Sequence, residues 1–179
     1  MGIDIVYILT GQRAIDAIAA KEEWRATPTT EIDHDQLALV PRYDAQGAAG
    51  DGVINLDEAP ADHLAFPRDW LVANGLRAAT AFLMTVRGDS MAPTLQDGDL
   101  IMVDRARTGP RSGRIYVYND PAGDGTRIKR IDADGGGLVI RSDNPAAAPA
   151  LEMITDRDRA DDLLARIIGE VVWCGHKLS

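Results

Sequence analysis

The sequence predicts a mostly β domain, preceded by a short helical segment. Two observations carry that prediction. A series of short apolar runs, rich in Val, Ile, Leu and Tyr, recurs from Phe82 to Trp173. Turn signals separate them: Gln96-Asp97-Gly98-Asp99, Gly109-Pro110, Pro121 to Gly125 and Asp134 to Gly137. Short strands at this spacing imply a largely antiparallel sheet. The 179 residues, 45% hydrophobic and 26% charged, allow one substantial core with a small appendage.

Residues 3–24 have apolar positions at roughly helical spacing (Ile3, Val6, Tyr7, Ile15, Ile18), with a break at Thr10-Gly11. Residues 25–36 are polar, carry Pro28 in a Thr-Pro-Thr-Thr run, and read as a linker or a short ordered arm. Leu37 to Val40 with Tyr43 suggests the first strand of a domain spanning 37–179. Gln46 to Gly52 is a loop of small residues, and Val53 to Leu56 a candidate short strand. Pro67 opens a short helix that turns Trp70 and Leu71 inward and stops at Asn74-Gly75. Strands are then expected at Phe82–Val86, Asp99–Val103, Arg114–Tyr118, Arg127–Ile131, Leu138–Arg141 and Ile167–Trp173. Asp156 to Leu164 is acidic and reads as a helix or a surface loop.

Composition narrows the function. The longest apolar stretch, Ala78 to Val86, falls far short of the about 20 residues of a membrane span, and no signal peptide is evident. The single cysteine, Cys174, precludes an internal disulfide and fits a reducing cytoplasm. The net charge of -9 argues against nucleic-acid binding by the chain itself. No His, Cys and carboxylate cluster has metal-ligand spacing, and Gly135-Gly136-Gly137 lacks the lysine and helix of a phosphate loop, so neither metal nor cofactor is expected.

The chemistry concentrates in Val86 to Asp99. A strand ends at Arg87, Gly88 permits a sharp bend, and Ser90 follows at the strand end. There its hydroxyl can meet a substrate and unpaired N–H groups of the Ser90-Met91 turn can polarise a carbonyl. Taken alone, Ser90 is better read as a turn residue. It also needs a base. His34, His63 and His176 lie in the linker, in an acidic loop and in the tail, so no Ser-His-Asp triad is favoured. Lys129 is the better candidate. The chain has only three lysines, Lys21, Lys129 and Lys177, and Lys129 alone lies in the central strands. Alternation puts Arg127, Lys129 and Ile131 on one strand face. Burial of that face would lower the lysine pKa and supply a neutral amine. Alone, Lys129 reads as a solvated strand residue. Met91 and Pro93 read as structural, and Asp89 and Asp97 to Asp99 as turn and surface residues.

The ordered set of motifs changes that balance. Arg87 to Asp104 closely resembles the LexA-like S24 peptidase family, with Gly88-Asp89-Ser90-Met91, then Pro93-Thr94-Leu95 and Asp97-Gly98-Asp99. Arg114 to Val117, Ile128-Lys129-Arg130, Ser142-Asp143-Asn144-Pro145 and Ile167 to Trp173 resemble its later segments, and the resemblance runs from about Leu37 to Leu178. It implies the LexA/signal-peptidase-like β fold, Ser90 as nucleophile and Lys129 as general base. Family members cut their own chain at a small Ala-Gly bond upstream of the serine, which matches Ala49-Gly50 here. Small side chains suit a tight site, and a tethered substrate gains a high effective concentration.

Residues 1–13 resemble the last part of a phage-repressor helix-turn-helix domain, making 1–24 its remnant, although a generic amphipathic helix reads the same way. The resemblance thus implies the homodimerising, self-cleaving half of a repressor. Its inducer would be an activated RecA filament or an antirepressor, and it would reach operator DNA only through a helix-turn-helix domain largely outside this chain. Three alternatives stand beside it: a catalytically silent dimerisation module, a UmuD-like polymerase accessory subunit, and a signal peptidase-like enzyme, the last disfavoured by the lack of a membrane anchor.

Overall fold

The computed structural model describes residues 34–44, 53–121 and 125–176. The chain divides into two units, Met1–His34 and Asp35–Ser179, and all strands and α-helices below belong to the second. The helical segment expected at 3–24, most of the 25–36 linker and the Ala49-Gly50 bond lie outside the described residues. The linker's last residues, His34–Gln36, form a single 3-10 turn.

The domain is mostly β, as expected. In chain order its elements are β1 (Leu37–Tyr43), β2 (Asp62–Pro67), α1 (Arg68–Ala73), β3 (Ala81–Thr85), β4 (Leu100–Asp104), β5 (Ile115–Asn119), β6 (Thr126–Asp134), β7 (Gly137–Arg141), β8 (Leu151–Ile154), α2 (Arg157–Ala165) and β9 (Ile167–Gly175). The strands form one sheet in the order β2-β1-β3-β4-β9-β5-β6-β7-β8. β1 and β3 run parallel and the other neighbours antiparallel. The last strand is therefore the hinge of the sheet. β9 joins the β1–β4 half to the β5–β8 half, and its apolar start at Ile167 suits a strand packed on both faces. Its approach to β4 is close. A Cβ at Gly169 would sit 2.6 Å from the Asp104 carbonyl oxygen, so only glycine fits there.

Alternation sorts the core. One face of β3, β4, β5 and β6 buries Phe82, Met84, Ile101, Val103, Val117 and Ile128 with Met91 and Leu95 from the Ser90 segment. The other face of β3 and β4 packs Leu83 and Met102 on Leu71 of α1. The other face of β5 to β8 packs Tyr116, Tyr118, Ile131 and Ile140 under Leu163 of α2. Asp156 caps α2 by accepting a hydrogen bond from the Arg159 N–H at 2.9 Å, which resolves the acidic segment as a helix.

Two expectations are corrected. Val53 to Leu56 is not a strand. Ile54 instead plugs the main core, and its N–H donates to Thr126 Oγ1 at 2.7 Å, outside any ladder. His63 does not lie in a loop but in β2, opposite Pro41. β2 and β8 give weak sequence signals for one reason: each is a sheet edge with only alternate residues facing a core, Leu64 and Phe66 in β2 and Ile154 in β8.

Candidate active site

Ser90 sits in the segment between β3 and β4. Backbone bonds from the Val86 N–H to the Asp99 carbonyl and from the Gly98 N–H to the Val86 carbonyl close the base of that segment. Gly88 takes φ +80°, the left-handed conformation that glycine tolerates best, and its N–H donates to Asp97 Oδ1 at 2.8 Å. Met91 and Leu95, each 2% exposed, anchor the turn in the main core and leave Ser90 partly exposed above it. Met91 is structural, as its sequence context suggests. Asp99 is not a surface residue. It is 3% exposed and accepts from the Gln96 N–H at 2.8 Å, while His176 Nδ1 lies 2.6 Å from its other oxygen. Burial raises the Asp99 carboxyl, but the hydrogen bonds from Gln96, His176 and Cys174 outweigh it and leave it below the usual range. His176 thus fastens the end of β9 beneath the serine segment. Cys174, pushed up to about 11 by burial and by Asp99, stays a thiol and is a poor nucleophile.

Lys129 lies on β6, opposite Tyr116 of β5, and is 9% exposed. Its amine donates to Ser142 Oγ at 2.9 Å, and the Ser142 hydroxyl donates to the Pro149 carbonyl at 3.1 Å. Burial pulls the Lys129 pKa below its ordinary value; the positive charge of Arg127 adds to that and the negative charge of Asp89 opposes it. The face expected to hold Arg127, Lys129 and Ile131 is a real face, with Ile131 fully buried. A cavity of about 420 Å³ opens beside the lysine, bounded by Tyr118, Arg127, Ser142, Pro149 and Glu152.

The connection between β7 and β8 bonds both to the Lys129 amine and to the backbone of the Ser90 segment. Ser142 holds the Lys129 amine. Asn144 donates its backbone N–H to the Ser90 carbonyl at 3.0 Å and its side-chain amide to the Asp89 carbonyl at 3.2 Å. Between them, Asp143 accepts a two-pronged bond from Arg130 at 2.6 and 2.8 Å and a further one from Thr94 of the serine segment. Three consecutive side chains therefore grip the lysine strand and the serine segment. In the sequence, Ser142 to Pro145 stands out only as a segment that resembles the family. The available signal was their type: consecutive Ser, Asp and Asn bond backbone and neighbours in turns.

Ser142→Ala is expected to slow any reaction that uses the Lys129 amine by about 2- to 10-fold, the worth of one hydrogen bond between uncharged groups. Ser142→Thr, which keeps the hydroxyl, should recover much of the rate. Rates followed at one fixed pH check this, and an unchanged Ser142→Ala rate would remove Ser142 from the site.

Among the described residues, no group of His, Cys and carboxylate side chains is arranged to hold a metal ion. No helix of the described residues is long and apolar enough to cross a membrane.

Residues 41–172 match the model of the family described as Peptidase S24-like. The chain is 28% identical to the HTH-type transcriptional regulator PrtR of Pseudomonas aeruginosa, over 97% of the chain and 71% of that protein. It is 28% identical to the repressor protein CI of Enterobacteria phage phi80, over 87% of the chain and 65% of that repressor. It is 32% identical to the LexA repressor of Bordetella pertussis, over 80% of the chain and 63% of that repressor.

Proposed function

The chain belongs to the Peptidase S24-like family, and from that premise we propose that it is the self-cleaving and dimerising part of a transcriptional repressor. Its similarity to two proteins named as repressors and to one named as a transcriptional regulator supports the regulatory part of this reading. The observation that carries the chemical part is the common grip of the β7–β8 connection on Lys129 and on the Ser90 segment.

A neutral Lys129 amine uses one N–H to bond Ser142 Oγ, which leaves its lone pair to accept the Ser90 hydroxyl proton. Ser90 Oγ bonds to the Ala49 carbonyl carbon, and turn N–H groups at Ser90 and Met91 hold the resulting oxyanion. The Ala49–Gly50 C–N bond then breaks, and the Lys129 ammonium returns the proton to the departing Gly50 amine. Water, deprotonated by the same amine, adds to the Ala49 carbonyl carbon; the bond to Ser90 Oγ breaks, Lys129 returns the proton to that oxygen, and Ala49 leaves as a carboxylic acid that ionises in solution. Cutting between a DNA-binding part and a dimerising part would end the avidity that holds a dimer on two half-sites. In this reading the trigger is a RecA filament or an antirepressor.

The test is incubation of the purified chain across a pH series. A base must be neutral to act, so cleavage rises with pH. Because Lys129 is held below its ordinary 10.5, the rise has its midpoint below that value. Mass spectrometry should find fragments 1–49 and 50–179. A chain that stays intact through the alkaline range, like a Ser90→Ala control, is instead a dimerisation module without peptidase activity.

A further inference from the structure

Lys129 shares its strand face with a second cation. Arg127 stands two residues earlier on β6, opposite Tyr118, and alternation directs both side chains to the wall of the same cavity. Two cations at this spacing on one half-buried face are an unfavourable arrangement. Arg127 is nevertheless held there: its Nε donates to Asp120 Oδ2 at 2.6 Å, from the turn that joins β5 to β6. We propose that Arg127, clamped by Asp120 on the strand face that carries Lys129, is an electrostatic positioning residue that adds to burial in favouring the proton-accepting form of the lysine amine. The effect on cleavage rests on the Ser-Lys reading above; the effect on the amine does not.

Of the charged groups around the amine and its cavity, Arg127 and Asp89 are the two that act on the amine, in opposite senses, and Asp120 on the same wall is the carboxylate paired with Arg127. From β8, Glu152 is paired with Arg159 of α2 at 3.2 Å. Asp162 of α2 is paired with Arg166 at 3.0 Å. Tyr118 of β5 is pushed up to about 12 by burial and by Asp120, so it stays a neutral phenol through the working range. Asp89, from the serine segment, acts on the amine in the sense opposite to Arg127. An arginine suits the role better than a lysine would. Its guanidinium does not deprotonate in proteins, so its field on Lys129 is constant at every pH at which the amine titrates.

The chain's three lysines, Lys21, Lys129 and Lys177, make the amine directly observable. The experiment is carbon-13 NMR of the full chain labelled at lysine Cε, in a Ser90→Ala background that keeps it intact, with Lys129→Met identifying the resonance. Arg127→Gln is expected to raise the Lys129 midpoint by about one pH unit, the scale of a partly screened charge at this spacing. Asp89→Asn should lower it. Arg127→Lys, which retains a charge, should hold it near the parent value up to the pH at which the new lysine itself deprotonates. Arg157→Gln, on α2 and outside the cavity wall, controls for net charge. Arg127→Met keeps the apolar stem and gives the same reading if the glutamine variant is unstable. A midpoint that stays put in both Arg127 variants, or falls as in Asp89→Asn, overturns the proposal. With Ser90 restored, the cleavage profile of Arg127→Gln should move to higher pH by the same amount and reach the same plateau. If the midpoint moves but no variant or parent cleaves, the Ser-Lys reading fails and the role of Arg127 on the amine stands.

Discussion

Lys129→Ala is expected to abolish cleavage at Ala49–Gly50, by at least about 10⁴-fold, while the domain stays folded. The magnitude is that of removing the base from a serine-base pair whose members act as a unit. The fold should survive because the lysine contributes little packing that Ile131 and Tyr116, both fully buried beside it, do not already provide. The sign of the stability effect follows from the amine's environment. Its folded pKa lies below the ordinary 10.5, because burial disfavours the ammonium. The parent therefore carries the cost of a buried charge at every pH below that folded value. The cost fades as pH rises from the folded value towards 10.5. At neutral pH the alanine variant should lose little stability or gain some, and the parent should close the gap or draw ahead in the alkaline range. Thermal unfolding at two pH values checks the second part, and mass spectrometry the first. Undiminished cleavage in Lys129→Ala would dismiss the lysine as base.

Met91→Ala should be the most damaging single truncation in the serine segment, at about 2–5 kcal/mol. Met91 is 2% exposed, and its side chain fills the main core beside Leu95 and Val86. For a unit of this size that loss lowers the melting temperature by roughly 5 to 15 °C. The same side chain is the peg from which the serine turn hangs, so cleavage should fall along with stability. Met91→Leu separates the two effects. It conserves volume and should cost less than about 1.5 kcal/mol, so cleavage should return with the packing. A Met91→Leu chain that melts like the parent yet cannot cleave would show that the methionine does more than anchor the turn.

The legible parts of the fold were those where local pattern and tertiary demand coincide. The runs around Phe82, Ile101, Val117 and Ile140 read as strands because each feeds a core, and α1 stops at Asn74 with the following Gly75 at φ +67°. β2 and β8 did not read as strands because edge strands need only every second side chain to be apolar. Val53 to Leu56 misled for the converse reason. An apolar run is needed wherever a chain crosses a core, whether or not a ladder forms, and Ile54 crosses one as a plug. The burial of Asp99 is not legible in the sequence because two of its partners, Cys174 and His176, arrive only with the last strand.

What the sequence by itself determined is the chemistry on offer: a serine in a sharp Gly-Asp-Ser-Met turn, one lysine within the central strands, and the period-two alternation that sends Arg127 and Lys129 to the same face. Those are properties of residue type and local spacing, and they hold before any contact forms. Only the tertiary structure decided what the lysine experiences. β6 had to find β5 and β7, α2 had to cover Tyr118 and Ile140, and the β7–β8 connection had to return to Ser90 before the amine was buried, bonded to Ser142 and set between Arg127 and Asp89. Burial and the field of neighbouring charges depend on all the atoms around a group, and most of those atoms come from distant parts of the chain.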